Sequence, residues 1–324
     1  MSSLRRLSVL LSAMVISSCG TSAGDGTLIS TIPSTTTPTT STSSTTTTTR
    51  LPTTTTLPPT TTTSLLEGNW AKQPLVAYDD WGGMALGWWD GTRWVQVDAE
   101  TVLPVVGGED YQVALLGSQA ILEGGPPQNT GCDVVLPDAP MPGIQFDDGN
   151  ALYTIVDDGQ GGERFVSGVA ISAPWNLRPR PVTDGETHPD LEALAAGLLA
   201  ERGYTADAVN LVQAVDADLD GDGTIETLVV AEQTELANDM SDVYSLLFAV
   251  SPAWDEAVVV VESVIPADDT GFPASFRVSA VADLSGDGRM ELVVDGQAWE
   301  NGWVTVHELT QAGFEHRIGA GCGV

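Results

Sequence analysis

The chain has 324 residues, of which 44 are acidic and 12 are basic, and its formal net charge at pH 7 is −32. This charge excludes nucleic acids and anionic membrane surfaces as partners, because both are bound through clustered lysine and arginine. With 42% hydrophobic residues, the chain can still bury the core of one large domain or two small ones. Most of its carboxylates are expected on the surface, with cations as counter-charge.

The first 19 residues have the pattern of a bacterial export signal. Arg5 and Arg6 precede an apolar run over residues 7–16 that is too short to span a bilayer, and Cys19 follows two serines. Residues 16–19 resemble the lipobox of bacterial lipoproteins, in which the cysteine is diacylated and becomes the new N-terminus. The pattern predicts a lipoprotein signal peptide over residues 1–18 and export to the outer face of the cell membrane, with lipidated Cys19 as the only membrane contact. A plain secretory signal is the alternative.

A linker follows the export signal. Residues 21–64 are almost entirely threonine, serine and proline, and they contain too few apolar side chains to offset the entropy of folding. We therefore predict a disordered linker over residues 19–64, with an extended reach on the order of 130 Å at about 3.1 Å per residue. Such a tether would let the folded part work away from the membrane surface.

The folded part is expected to begin at residue 65, with an N-terminal β region over residues 65–182. Asp90 and Gly91 lie between two aromatic, β-prone arms within residues 84–97, which is the pattern of a β-hairpin. Glycines and prolines at 124–127 predict a break between strands. Further strands are predicted over residues 111–116, 151–156 and 164–171.

Four tryptophans of this region allow two interpretations. They suit a sugar-stacking platform, or they form aromatic cross-strand pairs inside a sheet, which is the commoner arrangement. The four are Trp81, Trp88, Trp89 and Trp94.

The second region, residues 183–324, is predicted to begin with one helix near residues 188–202. Thr187 and Asp190 form a Thr-x-x-Asp capping pattern, and Gly203 marks the end of the helix. Apolar residues recur at helical spacing over 191–199, so this stripe is expected to pack on the β core.

Two acidic loops of matching sequence interrupt the strands that follow the helix. Residues 217–226 are matched position by position by residues 282–291. Because about four strands separate the loops, the sequence predicts repeated antiparallel sheet units of propeller-blade size. Strands are predicted over 208–215, 227–231, 244–250, 258–264, 276–281, 292–294 and 303–309.

The spacing of oxygen-bearing side chains in each loop predicts a calcium site. Such side chains occupy positions 1, 3, 5 and 9, and glycines at positions 4 and 6 allow a short turn to converge on one cation. With four carboxylates against three, the first loop is expected to bind more tightly. Its predicted ligands are the side chains of Asp218, Asp220, Asp222 and Glu226 and the carbonyl of Thr224. Those of the second loop are the side chains of Asp283, Ser285, Asp287 and Glu291 and the carbonyl of Arg289.

The flanks of the loops distinguish them from an EF-hand, which has helices on both sides and a bidentate glutamate at position 12. Here position 12 is Val229 or Val294, within strand-forming sequence. The loops resemble the strand-loop-strand calcium loops of FG-GAP or VCBS-type repeats, known from integrin alpha-subunit propellers and bacterial surface proteins. The resemblance covers less than a fifth of the chain; Ser285 departs from it, and no third copy is recognisable. It implies a β-propeller-like, incomplete architecture, an extracellular location, and interaction rather than a reaction.

Two cysteines remain besides Cys19. An even number in an exported protein predicts a disulfide between Cys132 and Cys322, which would make residues 65–324 one unit.

No recognised catalytic motif is present in the sequence. It contains no Gly-x-Ser-x-Gly, Ser-x-x-Lys, His-Glu-x-x-His or phosphate-cradling pattern, and the three histidines are expected to be ordinary polar residues. The leading hypothesis is a surface-anchored, calcium-stabilised, non-enzymatic β module that binds a protein or a glycan. One alternative is a polysaccharide hydrolase with paired carboxylates in a cleft away from the loops. The other is a structural accessory of a cell-envelope assembly.

Overall fold

The computed structural model describes residues 74–79, 82–98, 100–118, 120–129, 142–148, 152–157, 163–206, 208–233, 243–252, 254, 256–266, 269, 271–298 and 301–323. All of them belong to one compact unit, Ser64–Val324. The predicted signal peptide, Cys19, the predicted linker and Cys132 lie outside the described residues.

The prediction of a mainly β protein with one packed helix is confirmed. The helix, α1 (Pro189–Glu201), lies between two groups of strands. The first group is β1 (Leu75–Asp79), β2 (Gly82–Trp89), β3 (Trp94–Gln96), β4 (Glu109–Ala114), β5 (Ile121–Asn129), β6 (Pro142–Phe146), β7 (Tyr153–Asp157), β8 (Glu163–Ser167), β9 (Val169–Ile171) and β10 (Val182–Asp184). The second is β11 (Leu211–Ala217), β12 (Glu226–Gln233), β13 (Val243–Val250), β14 (Val258–Ile265), β15 (Ser275–Ala282), β16 (Glu291–Gln297), β17 (Asn301–Thr310) and β18 (Gly313–Gly323).

A closed six-stranded barrel forms the N-terminal part of the fold. Its strand order is β1-β9-β4-β5-β6-β2, and it closes because β2 also pairs with β1. Strand β3 pairs with the last three residues of β2. Tyr111, Ile144 and Leu152 are completely buried inside it. A short barrel of this size is filled by its own side chains. Strands β7 and β8 form a separate two-stranded ribbon.

Two antiparallel meander sheets follow the barrel. The first has five strands in the order β10-β11-β12-β13-β14, and the second has four in the order β15-β16-β17-β18. The first acidic loop connects β11 to β12, and the second connects β15 to β16. Each loop is therefore followed by three strands of a meander, and the first sheet has β10 as an additional strand at its edge.

The four-stranded sheet lies between the barrel and the five-stranded sheet. On one face, Val293 and Val306 pack with Leu75 and Ile171 of the barrel wall. Strands β15 and β16 are buried over almost their whole length, which explains their nearly continuous apolar sequences.

The opposite face of the four-stranded sheet forms a second core. Val278 and Leu292 pack there with Leu228 and Leu247 of the five-stranded sheet. The outer face of the five-stranded sheet is covered by α1, so the order of layers is helix, sheet, sheet and barrel. The outer faces of the two-sheet stack are thus covered by the helix and the barrel.

Helix α1 packs as its apolar stripe predicted, but its cap differs. Leu191, Ala195 and Leu199 are buried against the five-stranded sheet. The N-cap is His188 rather than Thr187, and it makes no side-chain capping hydrogen bond. Proline at the first helical position has no N–H to satisfy and already has a helical φ, so the helix begins there without the predicted capping box. Among the described residues, no helix is long and apolar enough to cross a membrane.

The break predicted at residues 124–127 is wrong, since these residues lie inside β5. The register of β5 against β6 shifts between Gly124 and Pro127, so an irregularity in the barrel wall accommodates the prolines. The predicted hairpin is confirmed, with Trp89 opposite Trp94 and Asp90 accepting hydrogen bonds from the N–H groups of Thr92 and Arg93.

Candidate metal centre

The first acidic loop is held in shape by its own carboxylates. Asp218 Oδ1 accepts a hydrogen bond from the Gly221 N–H at 2.7 Å, and Asp218 Oδ2 accepts one from the Gly223 N–H at 3.2 Å. Asp222 Oδ1 accepts from the Thr224 N–H at 2.6 Å. Both glycines have φ near +85°, at 82° and 88°, a conformation that other L residues rarely adopt. The two glycines therefore allow the turn.

The second loop repeats these hydrogen bonds at the same positions. Asp283 Oδ1 accepts from the Gly286 N–H at 2.7 Å, and Asp283 Oδ2 accepts from the Gly288 N–H at 3.0 Å. Asp287 Oδ1 accepts from the Arg289 N–H at 2.8 Å, and the glycine φ values are 77° and 88°. The repeat in the sequence is thus also a repeat in backbone geometry.

In the first loop, three of the predicted ligands come together. Asp218, Asp220 and Asp222 each offer a carboxylate oxygen, and these atoms lie within 4.8 Å of one another. Oxygens bound to one calcium ion at about 2.3 to 2.6 Å are separated by at most about 5 Å, so the three suit a single cation. Among the described residues, this is the one group of three carboxylate, histidine or cysteine ligands found. The second loop has Ser285 at the position of Asp220.

The glutamate at position 9 closes each loop from the buried side. Glu226 Oε2 accepts from the Leu219 N–H at 2.9 Å, and its Oε1 accepts from the Ser251 hydroxyl at 3.2 Å. Glu291 Oε2 accepts from the Leu284 N–H at 2.6 Å. Both glutamates are at most 2% exposed, and Glu226 lies outside the group of three aspartates. The two side chains therefore hold the loop backbone.

Burial raises the pKa values of three carboxylates in the loops. Burial raises the pKa of Glu291 to about 8 and that of Asp283 to about 6, and it also raises the pKa of Glu226. The neighbouring charge of Asp287 adds to the first two shifts. At the exposed Asp222, hydrogen bonds from Thr224 lower the pKa instead. A bound cation would reverse the buried shifts by supplying the positive charge that these carboxylates lack.

Arg180 joins the two loops and was not predicted from the sequence. Its guanidinium donates to the carbonyls of Asp218 at 2.6 Å, Leu219 at 3.0 Å and Gly288 at 2.6 Å. The Met290 N–H also donates directly to the Leu219 carbonyl at 2.8 Å. The two loops are therefore neighbours at one end of the stacked sheets. The sequence does contain one indication of Arg180, because basic residues are rare in it: only 12 of the 324 residues are lysine or arginine.

The segment before Arg180 also contacts the second loop. Trp175 Nε1 donates to the Asp283 carbonyl at 2.7 Å, and the Asp283 N–H donates to the Leu177 carbonyl at 2.7 Å. A Cβ added at Gly286 would lie 3.1 Å from the Trp175 ring. Glycine at this position is thus favoured by φ, and a larger residue would also press on the Trp175 ring.

The N-terminal tryptophans contribute to the sheet. Trp89 and Trp94 form an edge-to-face pair with ring centroids 5.5 Å apart, across the hairpin strands that the sequence predicted. Trp88 is partly buried against the barrel core. The interpretation as cross-strand aromatic packing is confirmed for this pair, and Trp81 lies outside the described residues.

The histidines occupy structural positions. His188 is the N-cap of α1, while His307 and His316 face each other across β17 and β18 with ring centroids 5.5 Å apart. Burial lowers the pKa of His307 to about 4 and also lowers that of His316. Cys322 is 8% exposed in β18, and its disulfide with Cys132 stays a prediction.

Comparisons with known protein families, curated proteins and solved structures find no match to this chain. The chemistry of the two loops is thus the strongest indication of function.

Proposed function

We propose that this protein is an exported lipoprotein whose β module is stabilised by calcium in two FG-GAP or VCBS-type loops and binds a protein or glycan at the cell surface. The observation that carries the proposal is the group formed by Asp218, Asp220 and Asp222, with ligand oxygens within 4.8 Å of one another. The repetition of the same loop hydrogen bonds at Asp283 supports a second, weaker site, because Ser285 replaces one carboxylate there.

The role of calcium in this proposal is to hold the loops rather than to take part in a reaction. Each loop joins the first two of four consecutive antiparallel strands, β11 to β14 or β15 to β18, and the two loops contact each other through Arg180. A cation bound in the first loop would therefore stabilise the end of both sheets. A binding role is favoured over catalysis because the carboxylates of the loops are committed to backbone hydrogen bonds and a cation.

Calcium is expected to stabilise the full mature chain. At a Kd of roughly 10⁻⁴ to 10⁻³ M, 10 mM calcium would raise the free energy of unfolding by about 1.4 to 2.7 kcal/mol per site. Calorimetric titration measures the Kd for calcium. Thermal unfolding with and without EDTA measures the change in stability. Asp222→Asn preserves the side-chain volume and an oxygen that can accept from Thr224, so it should weaken calcium binding without unfolding the loop.

The matched control is Asp148→Asn, which changes an exposed turn aspartate outside the loops and should leave calcium binding unchanged. A titration without calcium heat, together with a melting temperature that EDTA does not alter, would contradict the calcium proposal.

The membrane anchor is tested at Cys19. Replacing it with serine should transfer the protein from the membrane fraction to the medium, because the acyl chains attach to the thiol. Ser43→Ala in the linker is the control and should leave fractionation unchanged. Mass spectrometry of the mature N-terminus decides the matter independently: a first residue other than acylated Cys19 would show the lipoprotein proposal to be wrong.

A further inference from the structure

A pocket of about 420 Å³ opens beside the two loops. It combines position 3 of the first loop, position 7 of the second loop, the turn between β17 and β18, and the segment between β13 and β14. Its lining residues are Asp220, Trp254, Arg289, Leu309, Thr310 and Gln311. Its volume is within the range of about 300 to 1,000 Å³ that small-ligand sites occupy.

The wall of the pocket includes two apolar side chains, Trp254 and Leu309. Trp254 is partly buried and packs on the core between the two sheets, and its backbone N–H donates to the Ser251 carbonyl at 3.0 Å. Leu309 is 8% exposed and belongs to the same core. An indole that packs on this core offers a binding surface at little cost in side-chain entropy.

The pocket also contains both hydrogen-bond donors and hydrogen-bond acceptors. Arg289 is a fixed donor, because its guanidinium also donates to the carbonyl of Leu309. Asp220 is an exposed acceptor, and Gln311 is an exposed amide that offers both a donor and an acceptor. The one carboxylate and the one guanidinium balance each other in charge.

We infer that this pocket binds a neutral hexose unit of a glycan. A pyranose ring has an apolar C–H face, which packs against an indole, and an edge of hydroxyls, which both donate and accept hydrogen bonds. The lining offers the Trp254 indole for the C–H face, and Asp220, Arg289 and Gln311 for the hydroxyls. A phosphorylated or otherwise anionic ligand would be opposed by Asp220 and by the net charge of −32.

The inference rests on the proposed binding role of the module and identifies the glycan as its ligand. It also couples the two parts of that proposal, because Asp220 belongs both to the pocket and to the group of three aspartates. A cation in the first loop would orient the Asp220 carboxylate. Saccharide affinity is therefore expected to fall when calcium is removed with EDTA.

The test uses the full mature chain and four neutral trisaccharides built from α-glucose, β-glucose, mannose and N-acetylglucosamine. Calorimetry or saturation-transfer NMR in 10 mM calcium should detect saturable binding of at least one, with a Kd of about 1 mM or tighter. Trp254→Ala should weaken that binding at least tenfold, and Trp254→Phe should weaken it less. Gln311→Ala changes an exposed side chain and should weaken binding severalfold without a change in melting temperature.

Phe272→Ala is the matched control, since Phe272 is an aromatic residue that is 75% exposed outside the pocket, and it should leave affinity unchanged. Absence of saturable binding by all four trisaccharides would overturn the inference. So would binding that both the Trp254→Ala and Gln311→Ala variants retain, or saturable binding of a basic peptide in place of the sugars. Calcium titration of the same samples separates the outcomes: calcium heat without saccharide binding rejects the pocket alone, and saccharide binding without calcium heat rejects the calcium proposal alone.

Discussion

Replacing Arg277 by alanine is expected to lower the free energy of unfolding by about 3 to 5 kcal/mol, the cost of leaving a buried charge without its partner. Arg277 of β15 pairs with Glu232 of β12 across the two sheets, at 2.5 Å to Oε2 and 3.3 Å to Oε1. Both side chains are at most 5% exposed. Ser245 also donates to Glu232 Oε2, and its hydroxyl accepts from the Phe276 N–H, so the pair belongs to a network that joins the sheets.

The pair is part of a longer line of buried charges. Arg277 lies opposite Asp295 in the β15–β16 register, and Asp295 in turn pairs with Arg164 of β8 at 2.7 Å. The Ser167 N–H donates to the same carboxylate at 3.0 Å. Four buried charges thus connect the five-stranded sheet, the four-stranded sheet and the β7–β8 ribbon. A change at Arg277 should therefore also affect the Asp295–Arg164 pair.

Urea unfolding measures the loss in free energy of unfolding caused by Arg277→Ala, and two further variants identify its cause. Arg93→Ala removes an arginine that is 78% exposed beside Asp90 and should cost less than about 1 kcal/mol. The double variant Arg277→Met and Glu232→Leu removes both charges and should recover most of the loss, because no buried charge remains unpaired. A cost below about 1 kcal/mol for Arg277→Ala would show that the pair does not hold the sheets together.

Without calcium, the protein is expected to become less stable as the pH rises from 6.5 to 8. The pKa of Glu291 is raised from 4.5 to about 8 in the folded state, chiefly by burial. Its contribution to stability is therefore fully present below pH 4.5 and is lost as the pH rises through about 8. Between pH 6.5 and 8, the free energy of unfolding should fall by about 1.5 to 2 kcal/mol.

Burial also raises the pKa values of Glu226 and Asp295, so the Glu291→Gln variant is needed to assign the decline to Glu291. Asp283, with a pKa of about 6, loses most of its proton below the window. Burial lowers the pKa of His307 from 6.5 to about 4, so its unfolded form is half protonated at pH 6.5 and loses that proton as the pH rises. This loss favours the folded state by about 0.4 kcal/mol over the window, which is less than the fall caused by Glu291. His316, whose pKa burial also lowers, acts in the same direction.

Unfolding at several pH values in EDTA and in 10 mM calcium measures the dependence. Glu291→Gln keeps an oxygen for the Leu284 N–H and carries no titrating proton, so its unfolding free energy should change little over the window. Calcium should remove the decline or reverse it, because calcium binding requires ionised carboxylates. A wild-type protein in EDTA whose stability is constant from pH 6.5 to 8 would contradict the prediction.

Several parts of the fold could be predicted from short stretches of sequence. The apolar stripe of α1, the strands on either side of each acidic loop and the hairpin at Asp90 all depend on patterns within about ten residues. The barrel could not be predicted in this way, because its closure depends on β1 pairing with both β2 and β9. Strand β18 was missed because residues such as Gly319 and Gly321 weaken the strand pattern, and its pairing with β17 supplies what local propensity lacks.

The ten residues of each acidic loop determine its turn, whereas the folded chain determines which residues surround it. Their turns depend on aspartates, glycines and a glutamate that bond to each other within one loop, so both could be predicted from sequence spacing. Their neighbourhood could not, because Arg180, Trp254 and Gln311 come from other segments and meet the loops only when the sheets stack. Burial of Glu291 likewise follows from packing between sheets. Local hydrogen bonds are encoded by adjacent residues, whereas the pocket and the perturbed pKa values arise from contacts that only tertiary folding creates.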